Sequence, residues 1–147
     1  MKIRLPVSAF LLVLVSGGVS AQPEYLNSGA ILPTTLPFSE VVKVEKTLYL
    51  SGQIGNLPGS LELAEGGIAG QAPQVMENIK TTLEAHGYAM SDLVKCTVFL
   101  ANMSEWGIFN EVYARYFEEG RFPARSALGT TGLAFNARVE VECIAAK

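Results

Sequence analysis

Histidine is nearly absent from this sequence: His86 is the only one in 147 residues. A single imidazole argues against both a histidine-based metal cluster and a Ser/His/Asp triad. His86 falls at the expected end of a helix, where a cation suits the helix dipole, and reads as a capping or surface residue. Basic clusters are lacking too. Lys43 and Lys46 form the longest basic feature, which is far from the stripe of Lys and Arg that a nucleic-acid surface needs. The glycines near Ser51 are not followed by a Lys-Ser or Lys-Thr pair, which excludes a phosphate-binding loop. The sequence holds no internal repeat and no low-complexity block.

Long apolar runs are also missing. Val7 to Val15 is apolar apart from Ser8, well short of the ~20 residues that cross a bilayer. With Lys2 and Arg4 before it and Val19-Ser20-Ala21 after it, the run reads as a secretory signal over residues 1–21, cleaved before Gln22. No Cys follows the run, so lipid attachment has no acceptor, and the expectation is a periplasmic or secreted protein without a membrane attachment. Cleavage removes two of the 11 basic residues and none of the 14 acidic ones, moving the formal charge from −3 to −5. That acidity again argues against a polyanionic partner. Export would carry Cys96 and Cys143 into an oxidising compartment, where a disulfide persists. Both fall on expected strands, and spacing leaves a bridge and two buried thiols equally open, since pairing needs Cα atoms within roughly 7 Å.

What is present suits one packed domain, with 49% hydrophobic residues. Residues 22–35 are an extended lead-in rich in proline and small polar side chains, and residues 36–147 form the domain. Val41–Val44 and Thr47–Ser51 are β-prone runs separated by Glu45-Lys46, as in a hairpin. Residues 55–70 are glycine-rich and read as a long loop. Val75, Ile79 and Leu83 recur every four residues, predicting an amphipathic helix from Gln71 to His86 that ends at Gly87. Leu93–Leu100 is strand-like, with Val94, Cys96, Val98 and Leu100 on one side. A second helix opens at Ser104 as N-cap and carries the aromatic stripe Trp106, Phe109, Tyr113, Tyr116 and Phe117. A turn through Gly120–Pro123 leads into Ala124–Thr131, and Ala137–Ala145 is the last strand. There Val139, Val141, Cys143 and Ala145 share one face, while Glu140, Glu142 and Ile144 share the other. Two helices among five or six strands predict an α+β protein with both helices on one face of a sheet.

Two residues stand out chemically: Arg125 in Phe122-Pro123-Ala124-Arg125-Ser126, and Glu140 in the final strand. By pattern alone each is an ordinary surface residue. Six separated segments change that reading: Leu50-Ser51-Gly52-Gln53-Ile54, Glu77-Asn78-Ile79-Lys80, Val94–Leu100, Asn110-Glu111-Val112-Tyr113, Phe122–Ser126 and Val139-Glu140-Val141-Glu142. Together, in this order and at this spacing, they resemble the signatures of the Rid (YjgF) family of reactive-intermediate deaminases over residues 36–145.

The resemblance implies a chorismate-mutase-like subunit with a mixed sheet, assembled as a homotrimer with active sites in the clefts between subunits. It implies hydrolysis of small 2-imino or enamine acids, such as 2-iminopropanoate and 2-iminobutanoate, to 2-oxo acids and ammonia, with no metal or organic cofactor. Arg125 matches the arginine that holds the substrate carboxylate, and Glu140 the carboxylate that positions water; Ser51, Gly52 and Asn110 match positions lining the cleft. A guanidinium fork pairs two-pronged with a carboxylate, and a nearby carboxylate can relay protons between water and the departing nitrogen. The chain departs from the family pattern at two lining positions, with Phe38 in place of a tyrosine and Ala127 in place of a cysteine. The first keeps the aromatic wall but loses a hydroxyl, and the second loses a thiol. These losses make a noncatalytic binder of small carboxylates the alternative reading. Ribonuclease or chaperone-like activity, attributed to some relatives, has no basic surface to support it.

Overall fold

The computed structural model describes residues 22–147; the expected secretory signal lies outside them. The described chain runs β1 (Glu24–Leu26), β2 (Val41–Val44), β3 (Thr47–Leu50), β4 (Gln53–Ile54), α1 (Ile68–Ala85), β5 (Leu93–Leu100), α2 (Trp106–Ala114), β6 (Ala124–Gly129) and β7 (Val139–Ala146). The strands form one sheet in the order β1-β2-β3-β7-β5-β6, with β4 also paired to β7. Only β5 and β6 are parallel, so the sheet is mixed. The α+β expectation holds, with seven strands in place of five or six because β1 and β4 are too short to leave a periodic signal.

Side chains alternate across the sheet, and the helices cover one face only. Val41, Leu48 and Leu50, then Cys96, Val98 and Leu100, then Val139, Val141, Cys143 and Ala145 pack against Val75, Met76, Ile79 and Leu83 of α1 and against Phe109 and Tyr113 of α2. The opposite face is open, and Tyr49 and Leu128 stand on it nearly half exposed. Cys96 and Cys143 face each other in register on β5 and β7. They form a disulfide with a Cα–Cα separation of 4.1 Å, which settles the open choice in favour of the bridge.

Several expected boundaries move. Helix α1 begins at Ile68, inside the segment read as loop. Glycine looked like a helix breaker there, yet any Cβ on Gly70 would collide with the carbonyl oxygen of Glu65; only glycine lets the incoming chain cross the first turn so closely. The rest of the glycine-rich segment is folded back by an Asn56–Leu63 bridge. Ser104 does not cap the second helix: Asn102 caps a 3₁₀ turn that runs into α2, its side chain accepting from the Ser104 N–H at 3.0 Å, and Glu105 stands at the N-cap of α2 without a side-chain hydrogen bond. That helix is short, so Tyr116 and Phe117 lie beyond it, and Trp106 is exposed. Val94 does not share the core face with Cys96, because the β5–β7 register slips between Leu93 and Lys95 and turns Val94 to solvent. The last two strands are shorter than their sequence limits, β6 ending at Gly129 and β7 starting at Val139.

The polar residues of α1 act as fasteners. Asn78 donates to the carbonyls of Ile54 and Asn56 at 3.0 and 2.9 Å. Gln71 accepts from the Arg138 N–H at 2.8 Å, and the Thr82 hydroxyl donates to Glu40 at 3.1 Å. Each therefore holds a segment that approaches the open face.

The bridge closes a loop with a sequence separation of 47, worth up to about 4 kcal/mol of unfolded-state entropy. A Cys96→Ala/Cys143→Ala double variant should lose roughly 2–4 kcal/mol in urea unfolding, and dithiothreitol should weaken the natural chain but not the variant. Equal stability of the oxidised natural chain and the variant would contradict the bridge.

Candidate functional site

Glu140 emerges on the open face of β7, where alternation puts it opposite its buried neighbours Val139 and Val141. The strand beside it is bulged: Tyr49 pairs with Ile144 but Gln53 with Val141, so four residue steps oppose three. The extra residue lies in Leu50-Ser51-Gly52 and presses the backbone of Gly52 against the Glu140 side chain. Any Cβ on Gly52 would collide with that carboxylate. Glu140, Gly52, Phe38, Ile54, Leu61 and Phe135 line a cavity of about 320 Å³, together with Leu32 and Leu36. Burial against these apolar walls pushes the Glu140 carboxyl above the ordinary carboxylate range, and the negative charge of Glu142 adds to the effect.

Arg125 sits elsewhere. Its strand, β6, is the edge of the sheet and aligns Arg125 with Cys96, so the guanidinium points to the helix-covered face. It lies 4.6 Å above the ring of Tyr113 on α2, in a cation–π contact. Among the described residues it has no carboxylate partner. Arg125, Tyr113, Asn110, Phe122 and Pro123 line a second cavity of about 330 Å³. Within it the Asn110 side-chain oxygen and the Tyr113 hydroxyl are buried without a hydrogen-bond partner. Burial pushes the Tyr113 phenol up, and the Arg125 guanidinium offsets only part of this. The site therefore presents one cation and one neutral hydroxyl donor, with an uncommitted amide oxygen beside them.

The expected site residues thus divide into two sets on opposite faces of the sheet. Glu140, Gly52 and Phe38 share the first cavity, and Ser51 borders it, its hydroxyl donating to the Ser39 carbonyl at 2.7 Å. Arg125 and Asn110 share the second. Ala127 lies on the same side of β6 as Arg125 but lines neither cavity; it packs against the core. One chain does not bring Arg125 and Glu140 together.

Two features escaped the sequence reading. Tyr113 was one member of an aromatic stripe, and nothing in the stripe singled it out as the floor beneath Arg125. His86 is the C-cap of α1 as expected, but it is not a surface residue: its side chain is 10% exposed and reaches Glu40 at 3.3 Å. Glu40 also accepts from the Ser28 N–H at 2.8 Å and donates its own N–H to Asn27. Burial alone would raise its carboxyl, but hydrogen bonds from Ser28, His86 and Thr82 outweigh that and hold it below the ordinary range. This cluster ties the lead-in to the end of α1, next to Phe38 and Ser51.

The raised carboxyl of Glu140 has a stability consequence. Folding disfavours its ionised form, so its destabilising contribution is present above the raised pKa and vanishes as pH falls below the ordinary carboxylate range. Glu140→Gln should therefore raise the melting temperature at pH 8, and the gain should disappear in acid. A gain independent of pH would rule out this electrostatic origin.

The chain is similar to known proteins over most of its length. Residues 29–147 match the model of the family described as Endoribonuclease L-PSP. The mouse protein named 2-iminobutanoate/2-iminopropanoate deaminase is 42% identical over 109 residues, covering 74% of this chain and 80% of the relative. A protein of the same name from the mite Dermatophagoides farinae is 40% identical over 123 residues, covering 83% and 95%. The crystal structure of RidA from an Antarctic Psychrobacter superposes with a TM-score of 0.75 at 37% identity, covering 87% of this chain and 98% of that one. With most of its length matched in both sequence and fold, the chain belongs to the Rid (YjgF, L-PSP) family.

Proposed function

We propose that the protein is a deaminase that hydrolyses 2-imino acids to 2-oxo acids and ammonia, at sites completed between copies of the chain. The observation that carries this reading is the division of the site. One cavity holds a carboxyl with a raised pKa and no cation; the other holds a guanidinium with no anion and two unpartnered polar atoms. Each supplies what the other lacks. The open sheet face, with Tyr49 and Leu128 exposed on it, is the surface left for another copy to cover, and the homotrimer implied by the resemblance would join them. Relatives about 40% identical carry the deaminase name.

In the joined site Arg125 grips the substrate carboxylate with two parallel hydrogen bonds, while Asn110 and the Tyr113 hydroxyl complete the polar end. The C=N carbon then lies toward Glu140. As water attacks that carbon, the Glu140 carboxylate takes one of its protons. It returns that proton to the nitrogen, giving a carbinolamine; the proton left on the new hydroxyl then passes through Glu140 to the amino group, and the C–N bond breaks as the C=O forms, releasing ammonia and a 2-oxo acid. A raised pKa suits a group that must both accept and give a proton near neutrality. Phe38 walls the site without a hydroxyl, so no proton passes through that position. The family description names a ribonuclease, but the Glu140 cavity would repel a phosphodiester and has no cation of its own.

Ammonia release from freshly generated 2-iminopropanoate tests this reading. Arg125→Ala and Glu140→Gln should each cost ~10²-fold or more in kcat/KM. Mixing the two inactive variants under subunit exchange should restore roughly a quarter of the natural activity, since that share of randomly formed head-to-tail interfaces has both halves intact. No recovery would place the site within one chain, and a natural rate no faster than spontaneous hydrolysis would leave a carboxylate-binding protein.

Residues 1–21 are proposed to be a signal peptide that directs export to the periplasm or beyond. The Cys96–Cys143 bridge supports this, since such a bond persists in oxidising compartments. N-terminal sequencing of protein recovered outside the cytoplasm should begin at Gln22; an intact Met1 there would refute cleavage.

A further inference from the structure

We infer that the Glu140 cavity selects 2-imino acids with bulky apolar side chains, such as those derived from leucine or phenylalanine, and that Leu61 and Phe135 set this preference. The inference rests on the deaminase reading above and adds the substrate class to it.

The walls carry the argument. Apart from Glu140, the side chains lining the cavity are all apolar: Leu32 from the lead-in, Leu36 and Phe38 from the start of the domain before β2, Ile54 and Leu61 from the segment before α1, and Phe135 with Ala134 from the turn into β7. A volume of about 320 Å³ is many times the ~10–15 Å³ that one water needs in a cavity. The methyl group of 2-iminopropanoate would leave most of that space unfilled, and apolar walls give water nothing to bond. A substrate side chain with a polar or acidic end would find no donor there and would meet the charge of Glu140. A branched aliphatic or phenyl group meets only carbon.

The rim residues are placed for this purpose rather than for folding. Phe38, Leu61 and Phe135 are 48%, 36% and 57% exposed, and none belongs to the core cluster. Phe135 also has a φ of 56° and a ψ of 20°, a left-handed conformation in which an aromatic residue is an outlier. Core packing does not enforce that conformation, and it turns an aromatic ring toward the rim of the cavity that holds Glu140. The lead-in side of the wall is fixed in turn by the Glu40 cluster, so the pocket is shaped before substrate arrives.

An amino-acid oxidase can generate the imines of alanine, leucine and phenylalanine in the presence of the purified full-length protein, with ammonia release corrected for spontaneous hydrolysis. The leucine and phenylalanine imines should exceed the alanine imine in kcat/KM by about tenfold or more, since each methylene seated in an apolar pocket discriminates by roughly that factor. Phe135→Ala and Leu61→Ala should each shrink that ratio by about fivefold or more, and Phe135→Leu should recover part of it. Unchanged melting temperatures would show that the variants fold. A natural ratio near one, or a ratio the variants leave in place, overturns the pocket assignment while the deaminase stands. Absence of turnover on every imine overturns both.

Discussion

Two-residue alternation along a sheet covered on one side determines what a single chain of this protein can assemble. On β7, Val139, Val141 and Cys143 must face the helices, so Glu140 and Glu142 must face away. On β6, pairing with β5 puts Arg125 level with Cys96 and hence on the helix side. No rotamer moves either group through the sheet. A catalyst that needs both a guanidinium and a carboxylate can therefore be made from this fold only by bringing the helix side of one sheet edge to the open face of another copy. On the proposed reading, assembly and activity are linked by the same geometry that builds the core.

Helix α1 gives that geometry its rigidity. Its apolar positions bury against the sheet, and its buried polar positions reach out to the segments that shape the first cavity. Asn78 holds the carbonyls of Ile54 and Asn56, Gln71 holds the N–H of Arg138 at the entry to β7, and Thr82 with His86 holds Glu40 below Phe38. A buried amide or hydroxyl must find such partners or weaken the fold. Here the partners are backbone groups of β4, of the segment after it and of the entry to β7, together with the Glu40 carboxylate, so satisfying the core also positions the candidate site. The lead-in, although poor in regular structure, is held by the same device through Asn27 and Ser28.

Much of this was legible in the sequence, for identifiable reasons. The four-residue spacing of Val75, Ile79 and Leu83 and the alternation over Val139–Ala145 report burial directly, and they located α1, β7 and the outward face of Glu140. The start of α1 was hidden because Gly70 is required by a close approach to Glu65, a tertiary demand that looks like a helix breaker when read locally. Val94 was assigned to the wrong face because a register slip leaves no trace in periodicity. His86 joined a buried cluster through Glu40, 46 positions away, which local capping rules do not register. Arg125 and Glu140 were recognisable only by resemblance. Their separation onto opposite faces follows from strand pairing, which a single sequence does not display.

The Glu140 half of the candidate site is kept apart from the most stable part of the molecule. The disulfide, the aliphatic layer and the Phe109–Tyr113 pair lie on the covered face, where packing and a covalent cross-link tolerate little change. The open face collects what packing would exclude: a carboxyl that burial makes reluctant to ionise, a glycine that must carry no side chain, and a phenylalanine in a left-handed turn. Each of these costs folding energy, and the aliphatic core and its cross-link offset that cost. The cross-link itself joins β5, the partner of the strand that carries Arg125, to β7, the strand that carries Glu140. Glu140 is flanked by Val139 and Val141 and lies opposite Phe99 on β5; Arg125 lies opposite Cys96 on that same strand. Fixing β5 to β7 therefore fixes the offset between the two halves of the site within each chain. That offset must be constant if copies are to meet in one geometry.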